Sequence, residues 1–162
     1  MKHTILLLLA ASMAFAQQRG TMEVKGSLGI TSFADEHPEN HLQTGGSVRV
    51  YLTPHLSIEP EFQALFDVFH HDIILIPNLN WDFRTGKRVV PYLTGGLGWM
   101  HSYSGFALPI GGTFSFTSNQ AFAQFGAGTK IYFTRNWYIA PEFRVGSELS
   151  ARANLAVGYR FR

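Results

Sequence analysis

The 162-residue chain has no cysteine. A disulfide-stapled scaffold is therefore excluded, and so is a lipid anchor on a leader cysteine. Charge is also scarce. Asp, Glu, Lys and Arg make up 15 % of the chain, against about 25 % in an ordinary soluble domain. The charges nearly cancel, leaving a formal net of +2, so no basic excess points to a nucleic-acid partner. Beyond the N-terminus no apolar run reaches the ~18 residues of a membrane-spanning helix. The length suits one domain.

What the chain does have is aromatic residues, at 14 %, and 16 glycines. Its first residues read as a secretory leader. Lys2 supplies the positive start, Ile5 to Ala11 the apolar segment, and Ala14-Phe15-Ala16 the small-x-small cleavage pattern. This predicts a signal peptide over residues 1–16 and a mature domain over 17–162. The alternative is a buried N-terminal helix.

The last twelve residues set the pattern for the rest. From Ala151 to Phe161 the odd positions are all apolar or aromatic; Arg152, Asn154, Ala156, Gly158 and Arg160 lie between them. Period 2 over this length is a strand whose two faces meet different surroundings. A long open edge invites aggregation, which predicts pairing with the first mature strand to close a barrel. Seven further segments alternate in the same way: Thr21–Phe33, Gly45–Thr53, Leu56–Asp67, Asp72–Arg84, Arg88–His101, Asn119–Phe133 and Trp137–Gly146. The turns after the second, fourth and sixth strands are short. Those after the first, third, fifth and seventh vary, and Ala34–Thr44 and Ser102–Ser118 are long. Short turns at one end and longer loops at the other predict an all-β, eight-stranded, antiparallel up-and-down transmembrane barrel.

An internal repeat supports this register. VRVYLTPHLSIEPEFQ (48–63) and TKIYFTRNWYIAPEFR (129–144) share their Tyr, their turn Thr and a Pro-Glu-Phe. Against it stand Pro60, Pro77, Pro91 and Pro141, which fall inside proposed strands and would each need a bulge.

The polar face gathers Glu23, Lys25, Arg49, Glu59, Glu61, Asp82, Arg84, Lys130, Glu142, Arg144, Arg152 and Arg160. Nearly matched opposite charges suit a narrow interior in which each finds a partner. The apolar face carries aromatics near the strand ends. Trp81, Phe83, Phe133, Trp137, Tyr159 and Phe161 lie towards the short turns, and Phe33, Phe66 and Trp99 towards the long loops. Two aromatic girdles around an aliphatic band are what bilayer interfaces select. A soluble lipocalin-like barrel, with the faces inverted and a small apolar ligand inside, is the alternative.

Over about Thr21 to Phe161 the chain resembles the small eight-stranded outer membrane proteins of the OmpA/OmpX-like barrel class. The resemblance rests on strand count, turn asymmetry and the ending Leu155-Ala156-Val157-Gly158-Tyr159-Arg160-Phe161. It implies an integral outer membrane location, contact with outer membrane lipid, and insertion by the barrel assembly machinery, which reads a terminal aromatic. Here Arg162 follows Phe161, so that signal departs slightly from the family's pattern.

An interior filled by side chains implies no large pore. Gly96, Gly98, Gly126 and Gly128 then make room for long inward neighbours on the facing wall, or else line a narrow water channel. Specificity falls to the loops. Ser102–Ser118 is uncharged, and Gly111-Gly112 separates Phe106, Leu108 and Ile110 from Phe114 and Phe116. These arms read either as a protruding hairpin that binds a surface or host partner by strand addition, or as a loop folded over the mouth. The first two loops at that end hold His37 and His41 with Asp35, Glu36 and Glu39, and His70 and His71 with Asp67 and Asp72. They read as solvated loops or as a converging metal site. Small barrels of this architecture include lipid A deacylases, whose Ser, His and acid would fall near His101-Ser102-Tyr103-Ser104. The next carboxylate downstream, however, is Glu142. The sequence thus predicts a monomeric, non-catalytic barrel with no cofactor.

Overall fold

The computed structural model describes residues 21–33, 39–66, 70–83, 87–107, 113–147 and 150–161. The predicted leader, Asp35, Glu36, His37, Asp67, Arg84, Leu108 and Ile110 lie outside them. Among the described residues all regular structure is strand: β1 Met22–Phe33, β2 Glu39–Tyr51, β3 Leu56–Phe66, β4 His70–Asp82, β5 Val89–Ala107, β6 Thr113–Tyr132, β7 Trp137–Gly146 and β8 Ser150–Phe161. Each pairs antiparallel with its sequence neighbours. β1 also pairs with β8, from Met22↔Phe161 to Phe33↔Ser150, closing the barrel as the last strand's alternation predicts.

Polarity is inverted relative to a soluble domain. Residues such as Leu28, Leu75, Leu97, Trp99, Phe125 and Leu155 are exposed, while Glu23, Arg49, Glu59, Lys130 and Arg144 are buried. Strict alternation produces this, because successive side chains leave opposite faces of a strand.

The main departures from the sequence expectation lie at the loop end of the strands. β2 begins at Glu39 rather than Gly45. β4 begins at His70. Most of the predicted loop Ser102–Ser118 is strand, because β5 and β6 stay paired as far as Ala107↔Thr113.

The prolines are accommodated without bulges. Pro60, on β3, pairs with Pro77 on β4 in an unbroken ladder. The β2–β3 ladder skips two pairs beside Pro60 and resumes in the same register, from Ser47↔Glu61 to Val50↔Ile58. The β4–β5 ladder does the same beside Pro77, and β6–β7 beside Pro141. A strand residue aims its N–H at one neighbour only, so a proline weakens one seam and leaves the other intact. No residue is inserted, because the register on either side of each gap agrees.

Candidate functional site

The lumen near the short turns is a continuous charge network. Glu23, fully buried on β1, accepts from Arg160 Nε at 2.7 Å, Tyr132 Oη at 3.0 Å, Tyr138 Oη at 3.1 Å, Tyr51 Oη at 3.2 Å and Lys130 Nζ at 3.3 Å. Asp82 accepts from Lys130 Nζ at 2.7 Å and Tyr51 Oη at 2.8 Å. Lys130 also donates to Tyr51. One level further in, Glu59 accepts from Arg49 Nε and Ser47 Oγ, both at 2.6 Å, and pairs with Lys25 Nζ at 2.7 Å. Glu142 accepts from Tyr92 Oη at 2.6 Å and lies 2.7 Å from Arg144 Nε. Arg144 Nη1 reaches Glu61 at 2.7 Å. Buried charges are tolerated when paired and hydrogen-bonded on their remaining sites; each charge named here has an opposite partner, while Arg144 Nε and Nη2 lack a well-aligned hydrogen bond.

Eleven of the twelve predicted lumen charges lie among the described residues, and ten of them join this network. The exception is Arg152. No described carboxylate pairs with it. Its Nη1 donates to Gln63 Oε1 at 2.8 Å, and its guanidinium lies 5.1 Å from the centre of the Phe122 ring. The expectation that every inward charge meets an opposite one fails here, because amide oxygens and an aromatic face take the carboxylate's place.

Towards the loops the lumen turns apolar along β3–β6, while buried Thr31, His41 and Ser150 keep the β1, β2 and β8 side polar. Leu65, Ile74, Ile76 and Phe122 form a buried cluster with Met100 against it. They lie above Gln63, Asn78 and Gln124, whose amides link Glu61 and Arg152.

The inward glycines serve neighbours on adjacent strands rather than on the facing wall. Gly98 is paired with Phe122, Gly128 with Tyr92 and Gly158 with Tyr138. A Cβ at Gly98 would stand 2.6 Å from a Phe122 ring atom. Each ring lies over the glycine opposite it and fills the space a side chain would occupy.

The predicted girdle residues Trp81, Phe83, Trp99, Phe133, Trp137 and Phe161 are all exposed on the outer face. Tyr159 is half-buried, with its ring 5.1 Å from Trp137 and 4.8 Å from Phe161.

At the loop end β5 and β6 outrun their neighbours. β4 follows β5 to the pair His70↔Ser104, whereas β7 follows β6 only to Gln124↔Gly146. Phe106 pairs with Phe114 in the ribbon. From Phe116 to Ala121 every described side chain is exposed, on both faces of the strand; below that, burial alternates. Phe116 is 64 % exposed. The ribbon therefore extends beyond the β6–β7 ladder, and from Thr113 to Asn119 no described strand pairs with β6 on the side away from β5.

The described residues bear on the other candidate chemistries only in part, since Asp35, Glu36, His37 and Asp67 lie outside them. His101 is exposed and its Nδ1 meets Asn119 Oδ1 at 2.8 Å, while Ser102 pairs across the strand with Asp72. Adjacent strand residues leave opposite faces, so His101 is turned away from Ser102 and Asp72. Among the described residues no group of three or more His, Cys, Asp or Glu side chains is placed to hold a metal.

Tyr51, Tyr92, Tyr132 and Tyr138 are buried on the inner face, and their role is not foreseen from the sequence. Each donates to a buried carboxylate. Their even spacing with the charged positions was the available signal.

No curated protein matches the chain. Among solved structures it is similar to the N-terminal beta-barrel domain of Pseudomonas aeruginosa OprF, with a TM-score of 0.68 and 22 % identity, over 88 % of this chain and 100 % of that one. It is similar to a major outer membrane protein from Thermus thermophilus, at 0.70 and 11 %, over 89 % and 100 %. Ail, the attachment invasion locus protein of Yersinia pestis, in complex with the heparin analogue sucrose octasulfate, matches at 0.58 and 15 %, over 89 % and 100 %. A family model, the outer membrane protein beta-barrel domain, matches residues 4–161. With the closed eight-stranded barrel, its outward apolar face and its paired interior charges, the chain belongs to the outer membrane protein beta-barrel domain family.

Proposed function

We propose that this barrel is a non-conducting, non-catalytic anchor that presents the β5–β6 ribbon at the cell surface for binding by strand addition. The carrying observation is the outer stretch of β6 from Thr113 to Asn119, which no described strand pairs on the side away from β5 and which is exposed on both faces from Phe116. An unpaired row of N–H and C=O groups is a template for another strand. The β4–β5 and β6–β7 ladders hold the ribbon's base, and the paired charges of the lumen favour an anchor over a pore.

A sulfated ligand of the kind bound to Ail suits this chain poorly. The loop-end stretches 34–38, 67–69, 108–112 and 147–149 contain no Lys or Arg. An uncharged ribbon of Ser, Thr, Phe and Tyr fits main-chain pairing with an extended peptide better than anion capture.

The test is deletion of Gly105–Phe116 in cells displaying the chain. Adherence to a surface coated with extracellular-matrix proteins is expected to fall to the level of cells lacking the chain. The barrel itself should still shift in gel mobility on heating. Unchanged adherence with an intact barrel overturns the reading.

A further inference from the structure

The short-turn end of the barrel has a different chemistry. A cleft of about 440 Å³ there is lined by Lys87, Arg88, Tyr132, Phe133, Arg135 and Arg160, with Thr134 between them. The strand pairing builds it. Tyr132 N–H donates to the Arg88 carbonyl at 2.8 Å, so the turns before β5 and after β6 run side by side. Arg160 forms the floor, with its guanidinium 4.8 Å from the centre of the Tyr132 ring and its charge already met by Glu23.

Lys87, Arg88 and Arg135 are all exposed. None has a carboxylate partner among the described residues. The acids of this end, Glu23 and Asp82, are buried and committed to Lys130, Arg49 and Arg160. Three uncompensated cations thus share one cleft. In sequence the opposite end is the converse: Asp35, Glu36, Glu39, Asp67, Asp72 and Glu148 fall in or next to the connections after β1, β3 and β7, which carry no Lys or Arg.

One wall of the cleft is Phe133, 56 % exposed and continuous with the outward apolar side chains Val89, Phe83 and Trp137. A ligand with a phosphate among the cations and apolar chains along this wall matches both halves. We propose that the cleft binds the phosphodiester headgroup of an anionic phospholipid in the leaflet at the short-turn end. Basic side chains at a membrane surface attract anionic lipid, and the aromatic beneath them is suited to the interface.

The experiment uses the full barrel chain, purified in a zwitterionic detergent, with phosphatidylglycerol and phosphatidylcholine of equal chain length as probes and native mass spectrometry as readout. The chain is expected to retain phosphatidylglycerol roughly tenfold better than phosphatidylcholine, as separate basic residues add to the attraction. The triple variant Lys87→Gln/Arg88→Gln/Arg135→Gln should lose that preference, since all three side chains are exposed and the barrel should still be heat-modifiable. The charge-keeping triple Lys87→Arg/Arg88→Lys/Arg135→Lys should retain it. Equal retention of the two lipids by the unaltered chain overturns the proposal. So does a neutral variant that keeps the preference. Glycerophosphoglycerol competing as strongly as the intact lipid would assign the cleft to a soluble anion. Binding to isolated peptidoglycan that disappears in the neutral variant, without any lipid preference, would assign it to the cell wall. Either result also overturns the proposal.

Discussion

The two halves of the lumen fill the same narrow space in different ways. Near the short turns, Glu23, Asp82 and Glu59 are surrounded by Lys, Arg and Tyr donors in one network. Near the loops, Leu65, Ile74, Ile76 and Phe122 pack as an ordinary apolar core over a layer of amides. The lower half is specific and intolerant: removing one charge strands several others. The upper half is forgiving, because an apolar cluster loses only the contacts of the atoms removed. The barrel is packed by apolar side chains where its core is simplest and cross-linked where its charges are densest.

Three substitutions separate these halves, each followed by urea unfolding of the barrel in detergent micelles. Glu59→Ala should have the largest effect, a loss of about 3–5 kcal/mol, because it leaves Arg49 and Lys25 buried without their main partner. Destabilisation below about 1 kcal/mol would mean that water or neighbouring carboxylates compensate, and the lower half is less rigid than described. Ile74→Ala should cost less, about 2–3 kcal/mol, as a cavity in the upper cluster. Its cost should not change with salt. Arg152→Met should cost least, below about 1 kcal/mol or slightly stabilising, because no carboxylate is orphaned when this guanidinium leaves. If Arg152→Met costs as much as Glu59→Ala, the boundary between the halves is misplaced.

The wall was legible in the sequence because alternation is a local signal. Strand number, inner and outer faces, and closure through the last strand all followed from it. The long loop was harder. Ser102–Ser118 alternates serine and threonine with aromatics, a pattern that fits a free ribbon and a collapsed loop equally well. Only the unbroken pairing from Val89↔Ile131 to Ala107↔Thr113 distinguishes them. The upper core was hidden because Ile73-Ile74-Leu75-Ile76 is apolar at every position. Period 2 vanishes where lumen and exterior are both apolar. The early start of β2 was hidden for the opposite reason, since Glu39 to Thr44 has only Leu42 as an apolar marker. Arg152 shows the limit of charge counting: a list of acids and bases cannot tell which base is held by amides.

The interrupted ladders have a mechanical consequence. The gaps beside Pro60, Pro77 and Pro141 fall on the β2–β3, β4–β5 and β6–β7 seams. The pairs β1–β2, β3–β4, β5–β6 and β7–β8 run without a break. The wall is therefore four continuous hairpins joined along perforated seams, with the unbroken β1–β8 seam as the clasp. Pulled from one end, such a wall would tear along its perforations, two strands at a time.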